Sequence, residues 1–129
     1  MLTFEKKKVY GGFASSGSNF RVYVYKHKGK GAVHIIFRLA RVLLDEAGWF
    51  VGDHAIPSYD EKTRQWILTR TSDRSKGYMV TSTDKMAGPS VYLKFTIEQE
   101  VADAVLPGGA CDCEVASKSS REIVGAVRS

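Results

Sequence analysis

Residues 33–70, VHIIFRLARVLLDEAGWFVGDHAIPSYDEKTRQWILTR, decide the fold. The apolar run of Val33, Ile35, Ile36 and Phe37 predicts a strand. Residues 39–47 then predict a short amphipathic helix, because Leu39, Val42 and Leu43 have i, i+3, i+4 spacing and Leu44 widens the apolar face. Gly48 suits the left-handed position that closes a helix. Trp49, Phe50 and Val51 return to the core. A Gly52-Asp53 turn, a strand-like run to Tyr59, a polar turn at 60–63 and a second strand-like run over 65–69 complete a hairpin, with Trp66 in the core. Strand, short helix, Gly-Asp turn and hairpin describe a compact binding module better than an enzyme core.

Before this stretch, residues 1–10 predict a short strand or arm, and the Gly/Ser-rich residues 11–18 a loop. That loop has no Gly-Lys-Ser/Thr and is not a phosphate-cradling P-loop. Phe20 to Lys26 alternates, with Phe20, Val22 and Val24 against Arg21, Tyr23 and Tyr25, and predicts a strand. It pairs with residues 33–37 through the basic, glycine-rich turn KHKGKG at 26–31. Glycines let backbone N–H groups approach closely, and Lys26, Lys28 and Lys30 supply charge, so this hairpin tip is the candidate phosphate contact. Arg21, Arg38 and Arg41 lie near it in sequence. Tyr23 and Tyr25 share one strand face, where they stack on bases or pack at the core edge.

The charge is uneven. Residues 1–70 carry 12 Lys and Arg against 6 Asp and Glu, whereas residues 71–129 carry 7 against 8. Lys6, Lys7 and Lys8 add to the basic half. Such asymmetry points to an anionic partner; a solvated face that keeps the protein dispersed accounts for it equally.

Beyond residue 70, 77–81 predict a strand and Gly88-Pro89 a boundary. The remainder reads as a weaker copy of the first half: a strand at 91–95, a helix opened by a T-x-x-Q capping box at Thr96–Gln99 with Ile97, Val101, Ala104 and Val105 as its apolar face, a stop at Pro107-Gly108-Gly109, and strands over 111–116 and 121–127. At an offset of 58, Phe37 meets Phe95, Leu39 meets Ile97, Leu43 meets Val101 and Ala47 meets Val105; at 57, Trp66 meets Ile123. The pattern is that of an internal repeat with halves 20–70 and 78–127 inside a single domain spanning 1–129.

No apolar run approaches the roughly 20 residues of a membrane span, and MLTFEKKKVYGG lacks the apolar core of a secretory signal. Cys111 and Cys113 are too close in sequence for an easy disulfide and read as inert, reduced thiols in a cytoplasmic protein. They are too few to hold a metal without help from His27, His34 or His54, and His34 and His54 are isolated from each other and from any acidic pair at ligand spacing. No nucleophile elbow, HExxH or reasoned carboxylate pair is present, so neither an enzyme nor a cofactor is expected.

The helix ending in AGW followed by VGDHAIPSYDEKTRQWILTR resembles the AbrB-type, swapped-hairpin transcription factors and antitoxins. The matching residues are Leu43, Gly48, Gly52, Asp53, Tyr59, Asp60, Trp66 and Leu68. The second half departs from the pattern with Gly109-Ala110-Cys111-Asp112 in place of Gly-Asp, and it is not basic. The resemblance implies that a duplicated chain folds like a fused dimer. The expected fold is α+β, mainly β: a small β-barrel or paired β-hairpins with two short helices and a pseudo-twofold repeat. The expected function is a nucleic-acid-binding regulator or phage DNA-binding protein, contacting DNA through Arg21, Tyr23, Tyr25, Lys26, Lys28, Lys30, Arg38 and Arg41. The alternative is a phage or mobile-element module that binds and inhibits a host protein. A homodimer is a further candidate assembly.

Overall fold

Strand β1 (Phe20–Lys26) turns back into β2 (Ala32–Ala40), whose inner and outer residues alternate along its whole length. The computed structural model describes residues 19–26, 31–82 and 89–128, with Lys26 described in its backbone only. Lys6, Lys7, Lys8, Lys28 and Lys30 lie outside the described residues. Helix α1 (Arg41–Ala47) follows, then β3 (His54–Asp60), β4 (Gln65–Thr71), the two-residue β5 (Tyr78–Met79), β6 (Ser90–Glu98), α2 (Gln99–Val105), β7 (Ala110–Lys118) and β8 (Glu122–Val127).

The eight strands of the described residues join one antiparallel sheet in the order β5-β3-β4-β8-β7-β1-β2-β6. The two ends of that order meet. Thr81, just past β5, exchanges both backbone hydrogen bonds with Tyr92 of β6, each 2.8 Å. The sheet therefore curls into a nearly closed barrel, the small, mainly β architecture with two short helices expected from the sequence. Phe20, Val22, Ile35, Phe37, Leu39, Leu68, Leu93 and Ile123 fill its interior and exclude water. Phe37 is central: its ring meets Phe20 edge-on at 5.9 Å, Trp66 edge-on at 5.3 Å and Phe95 stacked at 6.1 Å. Burial of this apolar surface is the main term holding the barrel together.

The ladders follow a two-fold pattern. β2 pairs with β6 so that Ile36 faces Lys94, residues 58 positions apart and equally placed in their halves. β4 pairs with β8 so that Ile67 faces Val124. β1 crosses to β7 of the other half, and β5 crosses to β3.

The helices start later than the spacing predicts. Leu39 is the last inward residue of β2, and α1 begins at Arg41. Thr96, Ile97 and Glu98 belong to β6, and α2 begins at Gln99 with no side-chain cap at Glu98. The T-x-x-Q capping box therefore does not form. The cause is the β2–β6 ladder: Val33 pairs with Ile97 and His34 with Thr96, so strand bonds occupy the groups a cap would use. The apolar faces shift with the boundaries. Leu43, Leu44 and Ala47 are buried from α1 while Val42 is 53% exposed; Ala102 is buried from α2 while Val101 and Ala104 are exposed.

Candidate nucleic-acid interface

Strand alternation gives β1 an inner set, Phe20, Val22 and Val24, and an outer set, Arg21, Tyr23 and Tyr25. The antiparallel register carries the outer set across neighbouring strands. Arg21 faces Arg38 of β2 and Asp112 of β7; Arg38 in turn faces Tyr92 of β6. One row across the barrel thus reads Asp112, Arg21, Arg38, Tyr92. The next reads Ala110, Tyr23, Ile36, Lys94. The third holds Tyr25, His34 and Thr96. Of the residues expected to bind, Arg21, Tyr23, Tyr25 and Arg38 come together on this face. Arg41 opens α1 and hydrogen-bonds through its backbone N–H to the Pro89 carbonyl at 2.8 Å, beyond the end of the row.

Arg21 donates to Asp112 Oδ1 at 2.7 Å. Both side chains are about one-third exposed, so the pair is screened by water, and it places a carboxylate inside the basic face. Tyr23 is half-buried, and this burial pushes its phenol above the usual value of 10.0; the nearby Tyr92 adds to the shift, and Arg38 and Arg21 oppose it. Tyr25 is 61% exposed and lies parallel to His34, ring centroids 6.3 Å apart. His34 Nδ1 is 3.0 Å from Thr96 Oγ1, which fixes the ring under Tyr25. The sequence alone leaves His34, Tyr92, Lys94 and Asp112 unassigned. The signal for them is register: each sits on the outer face of a strand adjoining β1 or β2.

A second surface lies at the turn after α1. Gly48 (φ 80°) ends the helix, Trp49 turns inward and donates from Nε1 to the Ser119 carbonyl at 2.8 Å, and Phe50 is left 69% exposed beside the exposed Val51. Asp53 Oδ2 accepts the Phe50 N–H at 2.8 Å and pairs with Arg70 at 3.0 Å. Phe50 therefore stays outside, against the expectation that Trp49, Phe50 and Val51 all return to the core. Among the described residues, no group of three or more metal-ligating side chains occurs and no helix is long and apolar enough to cross a membrane.

Comparison of the chain with protein-family models, with curated proteins and with solved structures found no match.

Proposed function

We propose that this protein binds nucleic acid on the outer face of β7, β1, β2 and β6, acting by binding and not by catalysis. The observation that carries the reading is the cross-strand set Arg21, Arg38, Tyr23 and Tyr25 on one face. Arginines contact phosphates, and an exposed tyrosine already stacked on a histidine offers a ready plane for a base. The sequence adds Lys26 as the last residue of β1, with Lys28 and Lys30 following it in the chain. The crossing of β1 to β7 and of β5 to β3 supports reading the chain as a fused form of a swapped-hairpin dimer, the arrangement that the AbrB-type resemblance implies.

Fluorescence anisotropy with a labelled random duplex and a labelled single strand tests this. Binding should be micromolar or tighter at low salt and fall steeply as salt rises. Arg38→Glu should weaken it for every sequence and flatten the salt slope, whereas Tyr25→Ala should weaken the single strand more than the duplex by about 1–3 kcal/mol. Absence of binding to either probe at low salt rejects the reading.

The exposed Phe50 and Val51 favour a second one, a module that docks on a protein partner, a host protein in the phage or mobile-element case. Aromatic side chains in such a position are common interface anchors. Its signature is a discrete partner retained by the wild-type chain and lost by Phe50→Ala, with no affinity for either oligonucleotide.

A further inference from the structure

The segments that follow the two helices differ. After α1, Trp49 is buried in the core. At the same offset of 58 residues the second half has Pro107, and no indole fills the equivalent place after α2. A cleft of about 280 Å³ opens there instead, lined among others by Tyr59, Arg64, Leu106, Pro107, Cys111 and Arg128. Cys111 is half-buried in its wall. Its Sγ lies 4.0 Å from Cys113 Sγ, which is buried in the core behind it, and both thiols are reduced.

Trp66 stands over the same sulfur. Its ring is held between Phe37 at 5.3 Å and Tyr59 at 4.7 Å. The residue is only 3% exposed, and its Nε1 has no hydrogen-bond partner at normal geometry. A buried orphan donor is costly. Its field instead favours negative charge on Cys111. The Cys113 thiol, in hydrogen-bond contact with the Cys111 sulfur, does so more strongly; burial works against both. Contact within the pair draws the Cys111 thiol below its ordinary range, and the same contact together with burial pushes the Cys113 thiol up. Thiolate character at a solvent-reaching cysteine is what makes a thiol reactive. The two thiols, expected from the sequence to be inert, stand in different settings, Cys111 in the cleft wall and Cys113 in the core.

We propose that Cys111 is a site of reversible thiol modification that takes an anionic low-molecular-weight disulfide, of the glutathione type, through this cleft. Arg64 and Arg128 among its lining residues select for carboxylates on the incoming molecule. In the step, the Cys111 thiolate attacks one sulfur of the disulfide. A new S–S bond forms to Cys111, the old one breaks, and the departing thiolate takes its electron pair and is protonated by water. Excess reduced thiol reverses the exchange. Cys113 keeps its proton throughout and acts as a positioning residue.

The test uses the full chain, incubated at neutral pH with oxidised glutathione and, separately, with cystamine, a cationic disulfide. Intact-mass spectra and peptide mapping follow the products. One glutathionyl group per chain should appear, on Cys111, and disappear on adding reduced glutathione. Cys111→Ser should take none. Arg64→Gln combined with Arg128→Gln should slow the reaction with oxidised glutathione about tenfold and leave that with cystamine no slower, because only the anion gains from the guanidinium field. Both substitutions are of solvent-reaching side chains and leave the core intact. The proposal is overturned if no adduct forms, if the adduct maps to Cys113, or if the double arginine variant slows both disulfides alike.

Discussion

Gly125 of β8 shows how much one absent methyl group can decide. A Cβ there would stand 2.9 Å from two atoms of the Phe20 ring and 2.9 Å from Cys113 Cβ. Neither neighbour can give easily, since Phe20 is locked edge-on against Phe37 and Cys113 lies in the strand facing it. Gly125→Ala should therefore destabilise the fold by about 1–3 kcal/mol, the usual cost of overpacking a filled core. Urea denaturation would register it as a lower midpoint with an unchanged slope. Phe20→Leu in the same chain should recover part of the loss, a non-additivity that a double-mutant cycle measures. The outer face offers a second residue-scale test. Tyr23 titrates above its ordinary value in the folded protein, chiefly through burial. Its neutral form is thus favoured by folding, and that contribution is complete below pH 10.0 and is lost as pH rises from there through the raised folded value. Ultraviolet titration should show a phenol ionising above pH 10.0, and Tyr23→Phe should remove that late step while sparing the fold. A late step that survives Tyr23→Phe would belong to another tyrosine.

Element boundaries depend on partners that lie far away in sequence. The alternation in residues 20–26, the left-handed Gly48 and the polar turn closed by Asp60 were legible, because strand period, helix closure and an Asx turn are local chemistry. Asp60 Oδ1 does accept the Lys62 and Thr63 N–H groups, at 3.0 and 3.4 Å. The ends of β2 and β6 were not legible. Leu39 and Ile97 satisfy a helical pattern equally well, and only the ladder between the two strands assigns them to the sheet. Of the candidate site, the outward set on β1 could be read from alternation; Asp112, His34 and Tyr92 could not, since they reach it through register. Arg70 is a further long-range part. From β4 it pairs with Asp53 at 3.0 Å and donates to the Gly48 and Ser120 carbonyls at 3.5 and 3.3 Å, so it holds the end of α1 and the turn after it. Arg70→Ala should cost about 1 kcal/mol in this part-exposed setting. Gly48→Ala should cost about as much by forcing a side chain to φ 80°. Hydrogen exchange at Trp49 and Phe50 should quicken in both variants; unchanged rates there would mean that the turn is held by Trp49 packing alone.

At the scale of the molecule, the two central ladders join equivalent positions, Ile36 with Lys94 and Ile67 with Val124. A fragment covering residues 1–75 would keep β1 to β4 and α1 but lose the partners of β2 and β4. Its bare strand edges would each present a row of unmet hydrogen-bonding groups. The cheapest way to satisfy them is a second copy turned about the same axis, which would set Ile36 against Ile36 and Ile67 against Ile67. Such a pairing would replace Lys94 by an apolar residue at the axis and leave each β1 free to cross to the other copy's β3, as β5 crosses to β3 in the whole chain. The fragment should therefore be a strand-rich dimer by light scattering and circular dichroism, and its unfolding temperature should rise with protein concentration, because association and folding are then one equilibrium. It would also carry the basic half twice, so its affinity for a duplex should exceed that of the intact chain and depend more steeply on salt. A monomeric or unfolded fragment would show that the second half contributes packing which the first cannot supply to itself. In that case the two-fold pattern of the ladders would be a property of the closed barrel and not of its halves.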